Sequence, residues 1–369
     1  MGKRELIIIA AFVLIGVVAY QFTAPAAKEG EEGFSLRKIF SEFKREVTSD
    51  SASARVTKAG TITLRADVKA LRVSAEGSVP VTVIGEARSD IAYEMPVEST
   101  GPDEASARGY AERSLLREDD LGAVLGLTTW FPDEGTQTAK LTLHVPEHLL
   151  VRVEGSRRVQ VSQVASVDLR NITGETTVSN VPVVTGTHRA GDLTVSGAAT
   201  VDLTLVSSRA KIREVTQSIQ LNARNGECTI SSSTGTIAVT TANVELTIDH
   251  HQKGAIRIAG ETGRVTLNGP ATPVSIDARR MLVDLKLEQP LPEDITVITS
   301  EEPLRVTISG DAALVIDAVA NHAAVKVTDF DWTPSTNDRE SRLSATVGRG
   351  GARAVLRNAG GDIVISRRK

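Results

Sequence analysis

Residues 219–248 read IQLNARNGECTISSSTGTIAVTTANVELTI. In this stretch apolar and polar side chains alternate in four short runs, which begin at Ile219, Cys228, Ile237 and Leu246. A period of two is the pattern of a half-buried β-strand, because successive side chains of a strand point to opposite faces. Gly, Asn, Ser and Thr separate the runs and favour tight turns. The stretch therefore predicts a strand about every nine residues, with a turn after each.

The same pattern extends along the chain in both directions. Further apolar runs begin near Val151, Val159, Val167, Thr176, Leu193, Val201, Ile256, Val265, Val274, Val283, Ile295, Leu304, Leu314 and Val325. Strands at this spacing fit either tandem antiparallel sandwiches or a solenoid of stacked coils. Because the pattern is too long for one ordinary sandwich, we predict an all-β fold, a parallel β-solenoid with two strands and about 18–20 residues per coil.

The composition of the 369 residues agrees with a β-rich globular protein and excludes several functions. Aromatic residues make up 3% of the chain, and none lies between Pro132 and Asp329, so a core there would be thin and aliphatic. The formal net charge of −4 argues against a nucleic-acid-binding protein, which is usually basic. The single cysteine, Cys228, excludes an intramolecular disulfide and a cysteine-rich metal site.

The first 27 residues predict a membrane segment. An apolar run extends from Leu6 to Phe22, and Lys3 and Arg4 precede it. As a helix, this run would span about 25 Å, close to the lower limit for crossing a hydrocarbon core of about 30 Å. The anchor residues are Leu6, Ile7, Ile8, Ile9, Phe12, Val13, Leu14, Ile15, Val17, Val18, Tyr20 and Phe22.

This segment is either an uncleaved anchor or a secretory signal. Ala24-Pro25-Ala26 fits a signal cleavage site, whereas the length of the run and Tyr20 near its end favour an anchor. The basic residues closest to the run precede it, so we expect the amino terminus inside and the rest of the chain outside the cytoplasm. The main domain is then periplasmic or on the cell surface, held at the inner membrane; the alternative is secretion after cleavage.

An amphipathic helix is predicted after the membrane segment. Leu36, Ile39, Phe40, Phe43 and Val47 share one helical face. Such a helix would lie on the membrane surface, pair with a partner helix, or cap the folded domain. We divide the chain into a membrane segment (1–27), the amphipathic helix with a linker (28–54), a β-rich part with a helical insertion near residues 104–116 (55–150), and the repetitive solenoid (151–369).

Two stretches resemble a known bacterial family. Leu141-Thr142-Leu143-His144-Val145-Pro146, followed by residues 150–155, resembles the start of the β-solenoid domains of the bacterial putative-adhesin family. Residues 354–365, which contain Asn358 and Gly361-Asp362-Ile363, resemble the terminal Asn-Gly-Asp-Ile strand of that family, with Ala359 and Gly360 widening its usual turn. The resemblance covers roughly residues 61–366. It implies a solenoid fold and a location in the cell envelope, and no particular activity, because the family is mostly of unassigned function.

The strongest candidates for a charged site are three aspartates. Asp168, Asp202 and Asp284 recur within similar apolar-Asp-apolar triplets, and some of their spacings are close to two coils. They are weak candidates for an acidic stripe that would bind calcium or a basic partner. The competing interpretation is that each is simply the outward residue of an alternating strand, as Thr, Gln or Arg is elsewhere.

Other chemical groups do not form a recognisable site. His250 and His251 are adjacent and would point to opposite faces of a strand, so they do not readily share a metal. Cys228 and Ile230 are two residues apart and share one face of the predicted strand, so Cys228 is expected in the core. The basic residues Arg209, Lys211 and Arg213 are expected at a solvated edge.

No sequence motif for phosphate, dinucleotide or metalloprotease chemistry is present. The sequence therefore predicts a protein that is not an enzyme, uses no cofactor or metal, and serves as an adhesin-like binder or envelope scaffold. Its expected partners are the membrane and other envelope proteins or surface polymers; a homo-oligomer has no support in the sequence. The alternative is a carbohydrate-active lyase or hydrolase on a β-helix, which would need paired carboxylates and rings on which sugars stack.

Overall fold

The computed structural model describes residues 51–75 and 79–368, and this part of the chain is mostly β with one short helix. The amino-terminal elements are β1 (Ala52–Thr63), β2 (Ala70–Ser74), β3 (Val81–Glu86), β4 (Asp90–Gly101), α1 (Glu104–Arg113), β5 (Leu115–Asp120), β6 (Val124–Trp130), β7 (Thr136–Ala139) and β8 (Leu141–Pro146).

The middle of the chain contains fifteen strands. They are β9 (Leu150–Glu154), β10 (Arg158–Ser162), β11 (Ser166–Thr173), β12 (Glu175–Ser179), β13 (Val183–Ser196), β14 (Thr200–Val206), β15 (Ser208–Arg213), β16 (Ser218–Ser231), β17 (Thr236–Asp249), β18 (Ile256–Gly260), β19 (Gly263–Asn268), β20 (Val274–Arg279), β21 (Met281–Leu287), β22 (Ile295–Ser300) and β23 (Leu304–Ile308). The carboxyl-terminal strands are β24 (Leu314–Asn321), β25 (Val325–Thr328), β26 (Ser335–Thr336), β27 (Glu340–Val347), β28 (Arg353–Ala359) and β29 (Ile363–Arg367).

The middle strands form two parallel ladders. The first ladder consists of β9, β11, β14, β18, β20, β22 and the first halves of β13, β16 and β17. The second ladder consists of β10, β12, β15, β19, β21, β23 and the second halves of the same three long strands. Paired residues are mostly 17 to 19 positions apart, as in Ser166 with Val183, Ser218 with Thr236 and Val244 with Gly263. The chain therefore alternates between the ladders and returns to each after about two strands.

The core between the ladders is built from stacked aliphatic side chains. One such stack contains, in register, Val201, Ile219, Ile237, Ile256, Val274 and Ile295. All six are almost completely buried. Cys228 is buried in a parallel stack between Ala210 and Leu246, as the alternation predicted. Each successive strand of the first ladder contributes a Val or Ile to the first of these stacks. These side chains fill the narrow space between the ladders, so no aromatic ring is needed there.

Residues in the left-handed backbone conformation turn the chain at its corners. Ser207, Asn225 and Asn243 follow one another at intervals of 18 positions, with φ values of 51°, 53° and 57°. Asparagine is one of the few residues other than glycine that adopts this conformation readily. The side-chain amide of Asn243 donates a hydrogen bond of 3.0 Å to that of Asn225, so the corners also stack. Gly226 follows because a Cβ there would lie 2.2 Å from the carbonyl oxygen of Ser208.

The amino-terminal end departs from the parallel arrangement. β2 and β3 pair in parallel with β9 and β10, and on their other sides they pair with β6 and β8. Antiparallel strands then cover these: β5 pairs with β6, and β4 pairs with β8, β7 and β1. The predicted helical insertion is present as α1, whose first turn is capped by Asp103, which accepts a hydrogen bond from the backbone N–H of Ser106 at 2.7 Å.

The carboxyl-terminal end contains an inserted pair of strands. β28 lies between β22 and β24, and β29 lies between β23 and β25. The antiparallel strand β27 then covers the free edge of β24, and the short β26 pairs with β27. The last strands in the sequence are therefore not the last in the sheet.

These findings correct one expectation. Both ends of the sheet contain antiparallel strands, so the described chain is not parallel throughout. In β4 the alternation is weak in the sequence, because Ala92 and Pro96 lie on the outer face and Ser99 is buried on the inner face.

The predicted membrane segment and amphipathic helix belong to a part of the chain that the structure does not describe. The segment Leu6–Phe22 and the amphipathic helix at residues 36–47 lie outside the described residues. Within residues 51–75 and 79–368, no helix is long and apolar enough to cross a membrane.

Candidate functional site

The outer face of the first ladder carries a trough with a floor of small side chains. The floor consists of Ala238, Thr240 and Ala242 of β17 and Ala259 of β18, and the longer side chain of Arg257 of β18 projects beside Ala238. The trough is composed of two adjoining depressions of about 660 Å³ and 780 Å³, which share Thr240 and Ala259. It is open to solvent along its length, so a ligand could lie in it without any rearrangement of the strands.

The walls of the trough are longer polar side chains on the neighbouring strands. Gln220, Asn222 and Arg224 of β16 form one wall, and Ser275, Asp277 and Arg279 of β20 form the other. The register places Gln220 beside Ala238 and Asn222 beside Thr240, and Ala259 beside Asp277. All of these residues point outward because the alternating partners on each strand are buried in the core. The trough therefore extends over residues 238–242 along β17 and, across the strands, from β16 to β20.

Several charged side chains around the trough have no partner among the residues that the structure describes. Asp202, Arg224, Arg257, Glu261 and Asp277 line it and make no ion pair or side-chain hydrogen bond with the part of the chain that the structure describes. Arg279 has a long contact of 3.8 Å with Glu301. The trough thus offers unpaired charges of both signs.

The second ladder shows the opposite behaviour. Its outer face has a row of charged residues that pair with one another from coil to coil. Arg158 contacts Glu175 at 3.0 Å, and Arg209 contacts Asp192 at 3.0 Å and Glu227 at 3.4 Å. Arg209 of the predicted basic edge is therefore neutralised by its neighbours, whereas Lys211 and Arg213 are exposed on the same face.

The three predicted aspartates are placed in different surroundings. Asp168 is buried and accepts contacts from Arg152 at 3.0 Å and Arg170 at 2.7 Å. Asp202 is exposed at the side of the trough and is two coils from Asp168 in the same row, with a threonine between them. Asp284 belongs to the second ladder. The structure does not bring the three carboxylates together, and within its described residues no group of three or more His, Cys, Asp or Glu could hold a metal ion.

Buried histidines are a feature that the sequence did not reveal. His188 is fully buried: its Nδ1 lies 2.8 Å from the Ser208 hydroxyl and its Nε2 lies 3.2 Å from the Gly174 carbonyl oxygen. Burial lowers the pKa of His188 and that of His251, which is also buried. His250 instead occupies an exposed corner with a φ of 49°. The adjacent histidines thus face different surroundings, as expected.

The buried cysteine is chemically unreactive. Burial raises the pKa of the Cys228 thiol to about 12, so the thiolate is not formed near neutral pH.

The chain shows similarity to several solved structures at low sequence identity. No family model and no curated protein matches the sequence. A solved structure of a putative adhesin from Parabacteroides distasonis matches 87% of this chain and 98% of its own, with 9% identity and a TM-score of 0.29. A putative cell adhesion protein from Clostridium sporogenes matches 85% of this chain and all of its own, with 10% identity and a TM-score of 0.22.

A third solved structure carries a different description. It is a putative lipid binding protein from Parabacteroides distasonis, which matches 86% of this chain and 98% of its own at 10% identity, with a TM-score of 0.27. Over most of its length, the chain is similar to bacterial putative adhesins of unassigned function.

Proposed function

We propose that this protein is a membrane-anchored, extracytoplasmic β-solenoid that binds an envelope or surface polymer without acting on it as an enzyme. The trough on the first ladder carries this proposal. It is an open groove whose floor is largely of small side chains, and five of the six charged side chains that line it are unpaired among the described residues.

The strand pairing supports the solenoid. Two parallel ladders with an almost constant offset of 17 to 19 residues are what a coiled chain produces when two strands alternate in each coil. Stacked aliphatic residues and stacked corner asparagines add to this, since both require equivalent positions to recur at each turn.

The sequence supports the location. The apolar run from Leu6 to Phe22 behind Lys3 and Arg4 is suited to an anchor that leaves the described residues outside the cytoplasm. Fractionation of native cells tests this, because full-length protein recovered free in the cytoplasm would contradict both an anchor and a secretory signal.

Binding through the trough is tested by filling its floor. Ala238 and Ala259 are exposed, so tryptophan at either position projects into the trough without entering the core. The full-length protein in detergent is incubated with envelope fragments of the native bacterium, and the bound fraction is measured by sedimentation. We expect the affinity of the A238W and A259W variants for envelope fragments to be at least about tenfold lower, because the tryptophan ring occupies space that the ligand needs.

A matched variant controls for the added ring. Thr229 has the equivalent outward position on the second ladder, so T229W adds the same side chain to the other face. It should bind envelope fragments as the wild type does. Equal binding by A238W, A259W and the wild type would contradict the proposed function, and release of shortened polymer chains by the wild type would favour the carbohydrate-active alternative.

A further inference from the structure

The dimensions of the trough suit an extended chain. Its floor along β17 covers residues 238–242, which at about 3.3 Å per residue gives a length of roughly 15 Å. The walls on β16 and β20 are separated by β17 and β18, hence by three strand spacings of about 4.8 Å each. A groove of this size accommodates an extended segment of four or five residues that lies parallel to the strands.

The charges of the trough are balanced. Three carboxylates, of Asp202, Glu261 and Asp277, and three guanidinium groups, of Arg224, Arg257 and Arg279, line the trough. A ligand with charges of one sign would satisfy one set and repel the other. A ligand with both signs would pair with each set, and in the unliganded protein five of these six side chains are free of partners among the described residues.

The uncharged groups match a peptide backbone. The side-chain amides of Gln220 and Asn222 each present a donor and an acceptor, and within the described residues neither has a side-chain hydrogen bond. The N–H and C=O groups of an extended peptide alternate in the same way. Ile298, which is 48% exposed and stands beside Asp277 in register, adds an apolar contact at the edge of the trough.

The absence of rings argues against a neutral sugar chain. Sugars commonly pack their apolar faces on aromatic side chains, and the chain has no aromatic residue between Pro132 and Asp329. We therefore propose that the trough binds an extended peptide segment that carries both a cationic and an anionic side chain. This inference rests on the proposed binding function and specifies its ligand.

Defined probes test the ligand class. The full-length protein in detergent is titrated with four pentapeptides, acetylated and amidated at their ends, that contain one lysine and one glutamate, two lysines, two glutamates, or neither. Chitohexaose and hexagalacturonate serve as carbohydrate probes. We expect the mixed-charge peptide to bind at least about tenfold more tightly than every other probe, because only this peptide pairs with both sets of charges.

Charge reversal identifies the site. The R257E variant should lose at least about tenfold in affinity for the mixed-charge peptide, and added salt should weaken binding by the wild type. Arg213 is exposed on the second ladder and has no ion pair in the described chain, so R213E is the matched control and should bind like the wild type.

The outcomes separate this inference from the proposed function. Equal affinity for all peptides, preference for either carbohydrate, or equal loss in R257E and R213E would overturn the peptide assignment. If envelope fragments still bind in an A238W-sensitive manner, the proposed function stands and only the ligand class is wrong. If that sensitivity is also absent, both are wrong.

Discussion

The middle of the sheet and its two ends are built in different ways. In the middle, residues 150–308, all described strands pair in parallel and the core contains no Phe, Tyr or Trp. At the ends, residues 52–149 and 314–368, antiparallel strands appear, and all the aromatic residues of the described chain are found there: Tyr93, Tyr110, Trp130, Phe131, Phe330 and Trp332.

The difference arises because the outermost strands of the parallel ladders have a neighbour on one side only. Without further cover, their edges and the apolar side chains beneath them would be exposed. Antiparallel strands cover β6 and β8 at the amino-terminal end and β24 at the carboxyl-terminal end. Large rings add cover: Phe330 stacks on Trp332 with ring centroids 4.0 Å apart, and the Arg117 guanidinium lies 4.6 Å from the centre of the Trp130 ring.

The largest effect is expected in the core of the middle region. Val265 is fully buried, so V265D places an unpaired charge among aliphatic side chains and should destabilise the protein by several kcal/mol. Denaturant unfolding measures this. An outward residue serves as the control. Thr266 is unsuitable because it lies beside Asp284, whereas Thr229 lies beside Lys211. T229D should therefore lower the free energy of unfolding by no more than about 0.5 kcal/mol. Comparable losses in V265D and T229D would contradict the register.

The next effect concerns the carboxyl-terminal end. Replacement of Ser344 and Ala345 in β27 by proline removes at least one hydrogen bond to β24, because alternate residues of an antiparallel strand bond to its neighbour. The freed edge of β24 should then pair between molecules, and sedimentation velocity should show association that increases with concentration. R342A, which removes the ion pair with Glu340 and leaves the backbone hydrogen bonds of β27 intact, should not associate more than the wild type. A double proline variant without added association would show that β27 does not protect the edge.

A smaller effect distinguishes the three aspartates. D168N leaves Arg152 and Arg170 facing a neutral side chain, and because both arginines are partly exposed we expect a loss of about 1–2 kcal/mol. D202N should change stability by no more than about 0.5 kcal/mol, because Asp202 is exposed and has no partner in the described chain. Thermal unfolding measures both. Millimolar calcium should leave the melting temperature unchanged, and a calcium-dependent rise that D202N or D284N abolishes would establish an acidic site instead.

The smallest effect is expected at a corner. Asn225 has a φ of 53°, and alanine in that conformation costs about 1 kcal/mol, whereas glycine adopts it freely. N225A should therefore be less stable than N225G by chemical denaturation, although both variants lose the hydrogen bond with Asn243. Equal stabilities of the two variants would show that backbone conformation is not what selects asparagine there.

Much of the fold was visible in the residues themselves. The alternation at Ile219, Ile237 and Ile256 identified inward positions, and the nine-residue spacing identified two strands in each coil, because both are local consequences of how a strand buries one face. The trough was not visible. Ala238 and Ala259 are separated by 21 positions and belong to one floor only because the pairing of β17 with β18 places Ala259 beside Thr240, two residues from Ala238.

The sequence by itself determined the strands, the direction in which their side chains point and the aliphatic nature of the core, since each follows from neighbours a few residues apart. Only the tertiary structure decided which strands pair. A period of two is the same for parallel and antiparallel strands, so nothing local marks β4 or β27 as antiparallel. The local alternation also does not reveal that β28 lies between β22 and β24, because the position of β28 in the sheet depends on pairing between strands that are far apart in the sequence.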